Sequence, residues 1–298
     1  MVHTCGMAKK SNSTVRPSKS ISELLRLPKG PVNMASLDPA GRPGYPGHGK
    51  SDADGYTAAI GPILADLQER LFANGKSTPV DAKRVLLVLQ GMDTSGKGGV
   101  ITHAVGLVDP QGVHIKGFKA PTPEELSHDF LWRIRNALPD PGMIGIFDRS
   151  HYEDVLVVRV ENLVPVSEWD GRYDLINTFE AELAAAGYLI IKCFLNISPG
   201  EQKLRLAARL ADPSKYWKYN PRDVNAHEKW GAYMEAYKDA LERCNTDAAP
   251  WYVIPSDRKW YRNWAIAEIL KEQLVAQGFT WPAANFDVAA EKARVAAI

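Results

Sequence analysis

The sequence predicts an α/β protein of three layers, α/β/α, built on a five-stranded parallel sheet with a helical lid insertion ahead of the last strand. Two observations carry this. Short, unbroken apolar runs, partly β-branched, recur along the chain, as expected of strands buried on both faces. Between them lie segments whose apolar residues repeat at three-and-four spacing, as expected of crossover helices.

The 298 residues suffice for two average domains, and α/β folds also use this length for one. Hydrophobic residues at 45% and charged residues at 24% allow a sizeable core and argue against wholesale disorder. The 36 Lys and Arg against 35 Asp and Glu give a net charge of +1, so no global field recruits nucleic acid or a membrane, and any anion site is local. Cys5, Cys193 and Cys244 show neither metal spacing nor a paired framework, which fits a reducing compartment. No secretory apolar stretch accompanies Lys9, Lys10 and Arg16, and no run is long enough to span a bilayer, so the expected location is the cytoplasm.

Residues 1–20, polar and rich in Ser, Lys and Thr, are expected to form a disordered tail. Residues 21–54 are crowded with Pro and Gly and predict an extended arm lying over the core surface. The main domain is expected over 55–280, with 281–298 as a C-terminal tail. Its first helix runs from Tyr56 to Asn74, with Ile60, Ile63, Leu64, Leu67 and Leu71 inward and Gly75 as the stop. Val85 to Leu89 is the first strand; a helix from near Lys97 carries Val100, Ile101, Ala104, Val105 and Val108, and a second strand, Val113 to Phe118, completes a βαβ unit.

Glu124 to Leu138 predicts one helix with Phe130, Leu131, Ile134 and Leu138 inward, followed by a third strand, Met143 to Phe147. Tyr173 to Ala186 is helical, Tyr188 to Leu195 is a strand, and Trp251 to Ile254 is the fifth. Between the last two strands lies an insertion, Ser198 to Asn245, whose part at about 199–225 is the expected lid. A helix from Pro221 to Arg243 holds Trp230, Tyr233, Met234, Tyr237 and Leu241 as core, and Arg258 to Gln277 closes the fold.

The chemistry starts at Arg84 to Gly99, RVLLVLQGMDTSGKGG. Gly91, Gly96, Gly98 and Gly99 let backbone N–H groups converge on one point, and a helix starting near Lys97 aims its positive end there, which makes a phosphate cradle. The spacing of Gly91 to Gly96-Lys97 fits G-x-x-x-x-G-K, but Gly98 stands where a Ser or Thr would meet magnesium. Asp93, inside the loop, is the candidate that supplies that oxygen, and Asp148, at the end of the third strand, is the candidate that shares the ion. Manganese, which carboxylates also suit, can take its place.

Arg149 follows Asp148 and reads either as a two-pronged phosphate clamp or as a surface ion pair. Glu153 reads either as a group that orients or deprotonates an acceptor, or binds metal through water, or as part of a solvated helix face. Arg205 and Arg209 sit four apart on one helix face and repel unless an anion or solvent intervenes, so a lid over phosphate is expected there, extended by Lys203, Lys215 and Lys218. Lys116 and Lys119 flank the end of the second strand and lengthen the anionic groove. His128 and His151 lack a third ligand at metal spacing and read as structural.

These segments resemble the family-2 polyphosphate kinases. The resemblance rests on LQGMDTSGKGG (Leu89 to Gly99), FKAPTPEELSHDFLWR (Phe118 to Arg133), FDRSHYEDVLVVRV (Phe147 to Val160), LRLAARLADPSKYWKYNPRD (Leu204 to Asp223) and APWYVIPSDRKWYRN (Ala249 to Asn263), in family order, and covers roughly Leu24 to Gly278. It implies a P-loop kinase fold in which inorganic polyphosphate and a purine nucleotide exchange a phosphoryl group with Mg2+, or Mn2+, in a homo-oligomer, dimer or tetramer. By motif position it implies Asp93, Lys97, Asp148 and Arg149 as the Walker residues, Arg133, Arg149 and Glu153 toward the nucleotide, and Arg205 and Arg209 gripping polyphosphate.

Branches that look diphosphate-specific typically read Asp-Arg-Ser-Trp-Tyr-Asn-Arg after the third strand. Here the stretch is Asp148-Arg149-Ser150-His151-Tyr152-Glu153-Asp154, which resembles the branch that takes both AMP and ADP. Gly98-Gly99 also departs from the common Lys-Asp-Gly ending. Two other readings remain open on the residues alone: an ATP-dependent kinase of nucleoside monophosphates or a small metabolite, and a nucleotide-gated binding module without catalysis.

Overall fold

The structure, a computed structural model, describes residues 19–298, so the tail expected over 1–20 falls, but for its last two residues, outside the described residues. Ser20 opens α1 (Ile21–Leu25) with a capping box: its hydroxyl accepts the Glu23 N–H, and the Glu23 carboxylate accepts the Ser20 N–H. This turn of helix interrupts an arm expected to be extended. A second correction follows at α2 (Lys50–Ser77), which begins well before Tyr56. The Asp52 carboxylate accepts the N–H groups of His48 at 2.7 Å and Gly49 at 3.2 Å and the Tyr45 hydroxyl at 2.6 Å, so the first turn is capped despite Gly55, Gly61 and Pro62 downstream.

The chain continues through β1 (Arg84–Gln90), α3 (Lys97–His103), β2 (Val113–Gly117), α4 (Pro123–Leu126), α5 (Trp132–Arg135), β3 (Ile144–Asp148), α6 (Val157–Val160), α7 (Val166–Trp169), α8 (Arg172–Ala185) and β4 (Tyr188–Asn196). It ends with α9 (Pro199–Leu210), α10 (Arg222–Glu228), α11 (Trp230–Arg243), β5 (Trp251–Pro255), α12 (Lys259–Ala276) and α13 (Val288–Ala296). The single helix expected over Glu124 to Leu138 is thus two separate turns. The Ser127 hydroxyl donates to the Glu124 carbonyl at 2.7 Å, and the Asp129 carboxylate accepts the Leu131 N–H at 3.0 Å, so short polar side chains take up backbone groups that a continuous helix needs. The helix expected from Pro221 to Arg243 likewise breaks at Lys229, beside the weak helix former Gly231.

All five strands are parallel, in the order β2-β3-β1-β4-β5. Side chains of β1 alternate between two cores. Val85, Leu87 and Leu89 join Leu64, Val100 and Ile266 on one face, while Leu86 and Val88 join Ile176, Phe179 and Tyr237 on the other, which makes the three layers. Because β1 lies between β3 and β4, connections leave it in opposite directions, and the crevice at its C-terminal end is where such sheets hold ligands. The arm covers the outer edge of β5, where Arg26 bridges Tyr252 and the Leu27 N–H donates to the Trp251 carbonyl at 2.8 Å. Among the described residues no helix is long and apolar enough to cross a membrane.

Candidate active site

The loop after β1 turns on residues with positive φ: Gly91 at 151°, Thr94 at 65° and Gly96 at 107°. A Cβ on Gly96 would sit 1.7 Å from Nη1 of Arg262, so only glycine lets that arginine pass beneath the loop. Lys97, buried at the start of α3, donates from Nζ to the Gly91 carbonyl at 2.8 Å and so spans the loop it belongs to. Three successive carbonyls point away from the site. That of Asp93 accepts Gln202 Nε2 at 2.9 Å, that of Thr94 accepts Arg205 at 2.9 Å, and that of Ser95 accepts Arg205 at 3.2 Å and Arg262 at 2.9 Å. The Ser95 N–H donates to the Met92 carbonyl at 3.0 Å within the loop, which leaves the N–H groups of Thr94 and Gly96 as the ones free to meet a ligand.

Arg205 therefore departs from its expected place in a phosphate grip. It is buried, its Nε donates to Glu201 at 2.7 Å, and its remaining donors reach the carbonyls of Thr94, Ser95, Ser256 and Asp257. The repulsion expected between Arg205 and Arg209 is relieved by carboxylates rather than by an anionic ligand: Glu201 pairs with the first, and Asp223 with the second at 3.0 Å. Arg209 also donates to the Lys218 carbonyl at 2.8 Å.

Asp148 ends β3 beside Leu89 and Gly117. Arg149 follows with φ +67°, its N–H on the Leu89 carbonyl at 3.1 Å, and its guanidinium pairs with Asp93 at 2.7 Å and Glu153 at 4.0 Å rather than with Asp148. The Gln90 amide, with its nitrogen toward Glu153, donates to Oε1 at 3.1 Å while its oxygen accepts the Ser150 hydroxyl at 2.9 Å. Burial opposes the Asp93 charge, but Lys97, Arg149 and Arg209 outweigh it and hold the carboxyl below the usual range. Burial pushes Glu153 up, against the pull of Arg149. Burial and then the Asp93 charge push Asp223 up to about 6.

Arg133 is buried, donates to the Lys119 carbonyl at 2.9 Å and lies 3.7 Å from both Glu125 and Asp154. Lys116 and Lys119 are exposed near the end of β2. Lys215 and Lys218 are exposed on the helical turn Pro213–Lys218, Lys215 paired with Asp212 at 2.6 Å and Lys218 over the Trp217 ring. Gly98 is exposed and Gly99 lies over the Arg262 guanidinium, so both face the crevice rim without side chains of their own.

Several residues at the site carried no expectation: Gln90, Gln202, Asp223 and Arg262. A buried ion pair behind the site was also missed. Lys192 on β4 donates to Glu180 at 2.6 Å, to the Tyr152 hydroxyl at 2.7 Å and to the Cys244 carbonyl at 2.7 Å, and His151 reaches Glu180 at 3.1 Å. His151 is thus structural. It and Tyr152 fix the segment that presents Arg149 and Glu153. A lysine inside the apolar run of β4 was the available signal, since a charge there requires a buried partner.

Asp154 supplies a pH test. Burial pushes its carboxyl from 3.8 to about 6, against Arg172 and Arg133. The folded chain then holds a proton that the unfolded chain has released between those values, so this group's contribution to stability is lost as pH rises through about 6. Asp154→Asn should flatten the dependence of melting temperature on pH between about 4 and about 7, and an unchanged profile would place the proton elsewhere.

The description of polyphosphate kinase 2 as a family matches residues 55–279. The chain belongs to the polyphosphate kinase 2 family. Among relatives of this polyphosphate kinase 2 chain, the AMP/ADP-polyphosphate phosphotransferase of Meiothermus ruber is 43% identical over 255 residues, 86% of this chain and 93% of that protein. The ADP-polyphosphate phosphotransferase of Rhodopseudomonas palustris is 38% identical over 231 residues, 74% of this chain and 78% of that protein. The crystal structure of polyphosphate kinase 2 from Arthrobacter aurescens TC1 superposes with a TM-score of 0.89 at 49% identity, covering 94% of this chain and 98% of that one. The three-layer kinase architecture expected from sequence is thus the family's own, and the chain is an enzyme.

Proposed function

We propose that this protein transfers phosphoryl groups reversibly between inorganic polyphosphate and purine nucleoside mono- and diphosphates, AMP to ADP and ADP to ATP. The observation that carries the reading is the meeting of Asp93, Lys97 and Arg149 at the strand ends, in a chain 43% identical to an AMP/ADP-polyphosphate phosphotransferase. Phosphoryl transfer needs little covalent help and much charge neutralisation, which this set supplies. Lys97 and the loop N–H groups hold the moving group, and Arg149, anchored by Asp93 and Glu153, clamps its oxygens.

Asp93 and Asp148 are the residues that would hold a divalent cation, Mg2+ or in its place Mn2+. The fit rests on Asp93 staying ionised and on Asp148 lying outside the ion pairs of Arg149. Among the described residues no three acidic, His or Cys side chains gather into a closed cage, which suits an ion that keeps waters and phosphate oxygens as ligands. Bound there, the ion draws charge from the phosphoryl oxygens. Glu153, with a raised pKa, is suited to orient the acceptor phosphate or take its proton, and Arg133 lies toward the nucleotide. Arg209, Lys215, Lys218, Lys116 and Lys119 line the path of the polyphosphate chain. A homo-oligomer in the cytoplasm completes the reading.

Incubation of the purified protein with polyphosphate, Mg2+ and either AMP or ADP should yield ADP and ATP, and ATP alone should extend polyphosphate. Turnover of AMP with ATP that is indifferent to polyphosphate would replace this reading with that of an ATP-dependent kinase.

A further inference from the structure

We propose that His227 and Gln202 form a positioning relay through which α10 sets the backbone of the phosphate loop. Gln202, fully buried one turn before Arg205 on α9, donates from Nε2 to the Asp93 carbonyl at 2.9 Å. That leaves its Oε1 as an acceptor only, and His227 Nδ1 lies 2.7 Å away, so the proton in that bond sits on Nδ1 of His227. The histidine belongs to α10, the helix that also carries Asp223, the partner of Arg209. A continuous line therefore runs from α10 through a buried amide to the peptide group of Asp93, whose carboxylate pairs with Arg149.

Arg205 already fixes the next two carbonyls, so the Asp93 peptide is the part of the loop whose direction depends, through Gln202, on α10. Turning that peptide redirects the Thr94 N–H and the Asp93 carboxylate together. With His227 beside Gln202, as here, that peptide is set; displacement of α10 would release it. Neither residue touches the reacting atoms. Both act through Asp93. The proposal rests on the phosphoryl-transfer reading, because only a reacting phosphate makes the loop's direction matter to rate.

The test uses His227→Phe, His227→Asn, His227→Gln, Gln202→Leu and the His227→Phe/Gln202→Leu pair in the full chain, with melting temperatures recorded for each. Asn places a donor where Nδ1 stands, whereas Gln places it near Nε2. His227→Phe should lower kcat about tenfold at saturating polyphosphate and leave the nucleotide KM within about twofold, with His227→Asn restoring most of the loss and His227→Gln little. The double variant should be no slower than the slower single one, as for two members of one line. Unchanged kcat in His227→Phe, equal rescue by Gln and Asn, or additive losses would overturn the relay. Should Gln202→Leu fail to fold, the half-buried His227 series decides alone. Absence of turnover in the unaltered protein would instead overturn the phosphoryl-transfer reading, and the relay with it.

Discussion

Lys97→Ala should lower kcat by between about a hundredfold and a thousandfold, the loss that follows when one preorganised charge is taken from a transition state. Its cost in stability should be small. The only hydrogen bond Lys97 makes among the described residues goes to the Gly91 carbonyl, an interaction of about 1 kcal/mol net. Lys97→Met separates charge from packing, because it fills nearly the same buried space without an ammonium. Steady-state kinetics on Lys97→Met should match those of Lys97→Ala, and near-normal turnover in Met would show that the charge is dispensable. The Lys97 charge also helps to hold Asp93 ionised, so the substitution should move the acid limb of the rate profile upward in pH.

Arg205→Ala should behave in the opposite way, costing about 3 kcal/mol or more and lowering the melting temperature by about 10 °C. Four backbone carbonyls, at Thr94, Ser95, Ser256 and Asp257, lose a buried donor at once. Arg205→Lys should rescue little, because one ammonium with three protons cannot span four carbonyls and Glu201. Arg209→Ala, four residues on and partly exposed, should leave stability nearly unchanged and raise the KM for polyphosphate instead. Calorimetry and kinetics on the pair separate a brace from a grip. Equal effects at both positions would restore the symmetrical lid that helix spacing alone suggests.

That contrast marks how far sequence reasoning reaches. Periodicity shows that Arg205 and Arg209 share a face of α9 but not that the loop after β1 lies against half of it. The strands and the G-x-x-x-x-G-K spacing were legible because each is written in consecutive residues, and so was Asp148-Arg149 at the end of an apolar run. Gln202, Asp223 and Arg262 reach the same site from separate elements, and nothing local distinguishes them from ordinary polar positions. The break between α4 and α5 was obscured because apolar spacing continues across Ser127 and Asp129, whose side chains compete for the backbone.

Arg262 is 2% exposed, and among the described residues its guanidinium hydrogen-bonds only to the Ser95 carbonyl and the Asn263 side chain, with no carboxylate in a salt bridge to balance it. Burial and then Arg205 push its pKa down to about 9, so at neutral pH it remains a cation lodged under the loop. Dissolved ions cannot gather around a charge so enclosed, whereas they gather freely around Lys215 and Lys218, within a Debye length of about 8 Å at physiological ionic strength. Salt therefore divides the positive charge of the site into two populations. In the proposed reaction, rising ionic strength should weaken the hold of the outer lysines on a long polyanion first, while the attraction of the loop for a phosphoryl group should persist.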